Sequence, residues 1–358
     1  MNLAELRQQI DALDEQIILL LNQRADLVHA VGLIKKAEGS SIYVPEREEQ
    51  VMRGLILKAR QLQSRLPEEA IRAIYREIMS VSLALEKDLT IAFLGPEASD
   101  TDHAARRRFG ASVRYAALPT LAEVFDAVAR HKADYGVVPM ENPEPGAAQH
   151  TLELFMESEL RICAQIMTRA EIHLASQSPR AELRKIYAHP HAFNLCRGWL
   201  LRNLPEAELV EVASTPGAAE RAAREPHSGA LLNRVAAEAH DLPVREATIQ
   251  DDAHATARFL VIGDAVAQPT GDDRTSLMFG LRDEPGALSE AIEPFKRLGI
   301  NLHEIGNHAA KPKGWQHFFF VDIDGHATDP KIAEAISEVA QRCGLVKVLG
   351  TYPKSGPV

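Results

Sequence analysis

The N-terminal stretch constrains this chain more than any other. Leu3, Leu6, Ile10, Leu13, Ile17, Leu20 and Leu21, then Leu27, Val31 and Ile34, recur at three- and four-residue spacing. That spacing predicts one continuous helix over residues 2–36, with Asn2 as its cap. Such a helix is roughly 50 Å long by its rise per residue. Pro45 opens a second helix to about residue 62, and Pro67 with Glu68 and Glu69 opens a third to about Lys87. Two shorter helices cannot cover so long an apolar stripe. An all-α unit of residues 1–88 that pairs with a second copy, as a homodimer, is therefore expected.

After Asp88 the pattern changes to short apolar strands alternating with helices: TIAFLG, a helix near 101–109, then YGVVPM, IYAH, GALL and ARFLVIG. This predicts an α/β domain over residues 89–267. QPTGDD is a turn-rich linker, and residues 272–358 read as βαββαβ, a small α+β domain. In 358 residues, 46% of them hydrophobic, there is material for several cores. A net charge of −10 argues against a nucleic acid or an anionic membrane as partner and leaves room for a local cationic pocket that takes a small anion. Cys163, Cys196 and Cys343 lack metal spacing, so no metal is expected. No signal-peptide core and no run of about 18 apolar residues is read from the sequence, and a cytoplasmic protein is expected.

Several polar side chains in the helical region stand at informative spacings. Arg24 and Lys35 are eleven residues apart and project from one face of the first helix. Arg7 faces elsewhere and can join them only from an antiparallel partner helix. Arg47 and Glu48 open the second helix. Ser82 and Glu86 share a face of the third, among Met79, Leu83 and Leu85, where a charge is costly without a partner. The pattern alone leaves open a solvated charged surface or a dianion site.

LRQQIDALDEQIILLLNQR, the VGLIK that follows, YVPERE and IMSVSLALE resemble the helical chorismate mutase domain of proteobacterial P-proteins, the chorismate mutase–prephenate dehydratase fusions of phenylalanine biosynthesis. The resemblance implies that Arg7 of a partner subunit, Arg24 and Arg47 clamp the carboxylates of chorismate. It places Lys35 and Glu86 beside the ether oxygen, with Glu48 on the hydroxyl and Ser82 assisting. Val44 departs from the family, where an arginine is frequent. The reaction, chorismate to prephenate, is pericyclic and needs no cofactor, so positioning and charge stabilisation suffice.

FLGPE, GVVPMEN, AHPHAFNLCRGWL and ARFLVIG resemble, in order, the landmarks of a prephenate dehydratase domain, in which two α/β lobes close on a substrate. The motif residues differ. Where relatives read GPEGTF this chain has Gly95-Pro96-Glu97-Ala98-Ser99-Asp100, and of their PIENSTEG only Glu141, Asn142 and Gly146 remain from the functional part. Ala188 and Leu195 stand where serine and glutamine are usual. Ala257 replaces the threonine of a Thr-Arg-Phe motif whose Arg258 and Phe259 are kept; the family's threonine is implicated in helping the ring hydroxyl leave, and alanine has no proton to offer. Thr256 points to the opposite strand face unless a bulge intervenes. The expectation is a retained cleft, with Glu141, Asn142 and Arg258 able to bind an anionic ligand, and lost dehydration. The alternatives are a fully bifunctional enzyme, a decarboxylase drawing on Asp100, Asp102, His103, His150, His191 or His254, and a domain that senses a ligand without turnover.

Thr275 to Tyr352 resembles an ACT domain, a module that binds amino acids at subunit interfaces. Pro285 with Gly286, Ala287 and Leu288 keeps the effector loop. His303-Glu304 and Gly306-Asn307-His308-Ala309 replace the family's other effector stretch, so a dimerisation role or a different amino-acid effector is expected instead of phenylalanine feedback.

Overall fold

The computed structural model describes residues 2–39, 42–141, 147–308 and 317–356. The chain divides into two compact units, one of residues up to 44 with 52–89 and 109–114, the other of residues 45–51, 90–108 and 115 onward.

The helical region contains α1 (Leu3–Glu38), α2 (Pro45–Gln61) and α3 (Glu68–Glu86). α1 starts where expected because Asn2 and Glu5 form a capping box: the Asn2 side chain accepts from the Glu5 amide at 2.9 Å, and Glu5 accepts from the Asn2 amide at 3.0 Å. It stops at Gly39, whose φ of 67° suits a residue without a side chain. α3 buries Ile71, Met79 and Leu83, whereas α1 buries only Gly32. The α1 stripe is open to solvent: Ile10 is 55%, Leu20 63% and Leu27 70% exposed. One stretch of α1 is also long and apolar enough to cross a membrane by length and composition, which the sequence reading passed over.

The central region runs β1 (Thr90–Leu94), α4 (Asp100–Phe109), β2 (Arg114–Leu118), α5 (Leu121–Ala129), β3 (Tyr135–Glu141), α6 (Ala147–Glu157), β4 (Arg161–Arg169) and β5 (His173–Ala175). It continues with β6 (Lys185–Ala188), α7 (Pro190–Leu195), α8 (Arg197–Asn203), β7 (Glu208–Glu211), α9 (Thr215–Arg224), β8 (Ser228–Leu232), α10 (Arg234–Ala239), β9 (Val244–Glu246) and β10 (Thr256–Gly263). Two five-stranded sheets result, ordered β2-β1-β3-β10-β4 and β7-β6-β8-β5-β9. β10 therefore returns from the second lobe and pairs antiparallel with both β3 and β4 of the first. That crossing sets one end of β10 at the mouth between the lobes.

The C-terminal region is β11 (Asp273–Leu281), α11 (Ala287–Arg297), β12 (Leu302–His308), β13 (His317–Asp324), α12 (Pro330–Arg342) and β14 (Leu345–Pro353). This is the expected βαββαβ order, folded as one antiparallel sheet, β12-β13-β11-β14. One face packs Leu277, Phe279 and Val321 against Phe295 and Val339 of its helices. The other face sends Met278, Phe320 and Leu349 into the same core as Ile162 and Leu260 of the first lobe. β14 lies so close to β4 that a Cβ at Gly350 would collide with the Ile162 backbone. The chain thus has a helical region, a two-lobed α/β region and an ACT-like sheet, as the sequence predicts.

Candidate active sites

In the helical unit, two pairs of the expected residues meet. Lys35 Nζ lies 2.8 Å from Glu86 Oε2 and also donates to the Ile42 carbonyl at 2.8 Å. Arg24 donates to the Ser82 hydroxyl, which in turn donates to the Ile78 carbonyl at 2.7 Å. The side chain of Glu86 is only 8% exposed, and Lys35 supplies the partner its position demands. Gly32 permits the approach, since a Cβ there would stand 3.1 Å from Glu86 Cγ. The arrangement presents a guanidinium, an ammonium, a hydroxyl and a carboxyl from two helices, a set able to hold a small dianion and to donate to an oxygen between its charged ends.

The remaining expected residues make other contacts. Arg7 is exposed on α1, about 25 Å from Arg24 along the helix. Arg47 and Glu48 belong to the other compact unit. Arg47 donates to Gln50 at 2.7 Å, and Glu48 pairs with the buried Arg108 at 3.2 Å, a partner that lies outside the motif and that sequence reading missed.

The central cleft corrects more. Leu195 and Ala257 line a cavity, as expected, and Ser99 lines a smaller pocket beside it that shares Asp100 and His189. Ala188 does not: it is wholly buried with Leu174 and Ile186, because β6 lies inside its sheet. Phe259 is likewise a core residue at 0% exposure. Thr256 is not part of the cavity wall, and the irregularity in β10 falls between Arg258 and Phe259 on its β3 side, too late to swing Thr256 inward. Glu141 ends β3, paired with Arg258, while Asn142 and Gly146 lie outside the described residues.

The largest correction concerns Arg258, expected to bind an anionic ligand. Its side chain is 2% exposed and points to the ACT-like sheet, where its guanidinium meets Glu304 at 2.8 Å, Asp322 at 2.5 Å and the Tyr352 hydroxyl at 2.8 Å. Ser276 donates to Asp322 at 2.6 Å and lies 2.6 Å from the Tyr352 hydroxyl, so a chain of donors runs from Arg258 through Tyr352 and Ser276 to Asp322. Burial first, and then the Asp322 carboxylate, push the Tyr352 phenol up to about 12, so it stays protonated within that chain. Glu304, read as part of a lost effector stretch, is thus an anchor for Arg258.

Of the ionisable residues noted near the landmarks, Asp100, His103 and His191 reach the cavity. His150 and His254 are exposed, and Asp102 accepts from the Ala98 amide and from Arg106, each at 2.7 Å. Burial lowers the pKa of His103, with Arg107 adding to it, and burial likewise lowers those of His189 and His191, so the imidazoles are neutral at pH 7. Sequence reading missed the three arginines of the cavity, Arg107, Arg169 and Arg234, and it missed Thr168. Arg107 comes from α4, Arg234 from α10, and Thr168 with Arg169 from β4, so only the tertiary fold brings them together and no local motif marks them. In the ACT-like sheet, Gly286 has φ 89° at the start of α11, and Pro285 and Ala287 line an open pocket with Arg282 and Glu290. Gly286 and Leu288 themselves do not line it.

Comparison with known proteins bears on the whole length. Family models for chorismate mutase type II, prephenate dehydratase and the ACT domain match residues 6–87, 91–267 and 275–341. A bifunctional chorismate mutase/prephenate dehydratase of Aquifex aeolicus is 41% identical over 355 residues, 99% of this chain and 98% of the relative. The chain belongs to the bifunctional chorismate mutase/prephenate dehydratase family. A family member from Pseudomonas aeruginosa is 37% identical over 99% of this chain and 98% of its own. The crystal structure of a prephenate dehydratase from Arthrobacter aurescens, in complex with L-Phe, aligns with a TM-score of 0.70 and 29% identity over 75% of this chain and 92% of that one. The expected loss of dehydration finds no support among these family members.

Proposed function

We propose that this chain converts chorismate to prephenate in its helical unit and consumes prephenate in the central cleft, as a cytoplasmic enzyme of phenylalanine biosynthesis. The observation that carries the first step is the Lys35–Glu86 pair beside Arg24 and Ser82. Arg24 holds a substrate carboxylate, with Arg47 proposed as a second clamp. The Lys35 ammonium stabilises negative charge as it grows on the breaking ether oxygen, with Glu86 beside it holding that ammonium in place. Ser82 keeps Arg24 in place, and Glu48 is proposed to take the substrate hydroxyl once released from Arg108.

The exposed stripe of α1 supports a homodimer in which Arg7 comes from the second copy. Mixing Arg7→Ala chains with Lys35→Ala chains tests this, because a mixed dimer holds one site free of both changes. Turnover should recover to about a quarter of the unmodified level, since half of randomly mixed dimers carry one intact site of two. No recovery after verified subunit exchange would mean that each site is built from one chain.

For the second step, Arg107, Arg169 and Arg234 offer positive charge to the two carboxylates of prephenate, and the names of the relatives support dehydration to phenylpyruvate. A second reading, binding without dehydration, is favoured by Ala257 and Leu195, which bring no polar group to the cavity wall. Purified protein given prephenate at neutral pH should form phenylpyruvate above the spontaneous rate. Saturable binding without product would favour the second reading, and a non-aromatic product would mean decarboxylation alone. The pocket beside Pro285 and Ala287 is proposed for an amino-acid effector.

A further inference from the structure

The cavity holds a hydroxyl directly opposite the alanine that lacks one. In the antiparallel pairing of β10 with β4, Ala257 is the partner of Thr168, and both residues line the cavity. Residues directly opposite on such a pair share a sheet face, with Cβ atoms about 5 Å apart. Thr168 therefore reaches the space that a longer side chain at 257 would occupy. The neighbouring pair, Arg258 with Met167, falls on the other face, consistent with the outward course of Arg258.

Threonine is common in strands for its shape alone, and that would explain Thr168 if its hydroxyl were satisfied by a neighbour. Yet Thr168 is 7% exposed, and among the described residues its hydroxyl makes no hydrogen bond. A hydroxyl on the cavity wall that no neighbour engages is placed to bond a ligand there.

We propose that Thr168 donates its hydroxyl hydrogen to the ring oxygen that leaves prephenate. The inference rests on the reading of the cleft as a prephenate-consuming site. In this step the bond between the ring and its carboxylate breaks, its electron pair shifts through the ring to form the aromatic system, and the C–OH bond opposite breaks. Carbon dioxide leaves from one side. The departing hydroxide takes a proton through Thr168 and leaves as water, while solvent water restores the proton to Thr168, so each turnover consumes one proton. Burial lowers the pKa of His103 and His189, so neither imidazole is a cationic donor competing for that oxygen at neutral pH.

The test measures phenylpyruvate formation from prephenate by the full chain and by Thr168→Val, Thr168→Ser and the pair Thr168→Val with Ala257→Thr. Thr168→Val should lose at least about 100-fold in kcat with little change in KM, while Thr168→Ser keeps most of the rate. The double variant, which moves the hydroxyl across the strand pair, should recover at least about tenfold over Thr168→Val. Its rate, with that of Thr168→Ser, decides the matter if Thr168→Val alone folds poorly. Undiminished kcat in Thr168→Val, or equal losses in all three variants, overturns the role of Thr168 while leaving the cleft a dehydratase. If the unmodified chain binds prephenate by calorimetry but forms no phenylpyruvate above the spontaneous rate, the reading of the cleft fails and the role of Thr168 with it.

Discussion

Arg258→Met is expected to unfold the C-terminal half of the chain at markedly lower temperature. Asp322 is wholly buried, and Arg258 is its nearest cation, at 2.5 Å; Arg274 stands at 3.9 Å. Removing one partner of such a pair strands a charge in the interior, at a cost of about 3–5 kcal/mol. At this size of domain the melting temperature should fall by about 10 °C. Glu304 is less affected, since about a third of its side chain already meets water. Adding Asp322→Leu to Arg258→Met should restore much of the loss, because the pair is then replaced instead of broken. A melting temperature within about 2 °C of the unmodified chain would show that the network contributes little to holding β10 against the ACT-like sheet.

The second large effect lies in the helical unit. Lys35→Ala should lose two to three orders of magnitude, about 100- to 1000-fold, in chorismate turnover, as follows when a donor aimed at developing charge is removed. The fold should persist, although Glu86 loses its cation and keeps an 8% exposed carboxyl, so a modest fall in melting temperature accompanies the change. Lys35→Arg keeps the charge but spreads it over a plane, and should recover only part of the rate. Near-normal turnover in Lys35→Ala would remove this residue from the proposed chemistry.

How far the sequence reveals such features depends on the distance over which they are encoded. α1 was legible almost to the residue, because a stripe of ten apolar positions repeats at helical spacing and Asn2 with Glu5 supplies a local cap. The βαββαβ order was legible for the same reason. Arg258 was misread because its meaning lies 46 to 94 residues away, in Glu304 and Tyr352, whereas nearby it is flanked by the mouth of a cleft strand. Ala188 was misread because a motif position says nothing about which strand lies inside a sheet. Thr168 escaped notice altogether: only the pairing of β10 with β4 sets it against Ala257, and register between distant strands leaves no mark in either segment read alone.

The central claim is that one chain makes prephenate and then consumes it. The most direct measurement supplies chorismate to the purified full-length protein and follows chorismate, prephenate and phenylpyruvate together over time, with Lys35→Ala as the comparison. The account predicts that chorismate disappears, prephenate rises and falls, and phenylpyruvate accumulates with an equal amount of carbon dioxide. Chorismate lost only at its uncatalysed rate, or prephenate accumulating as the sole product beyond its spontaneous breakdown, would contradict it.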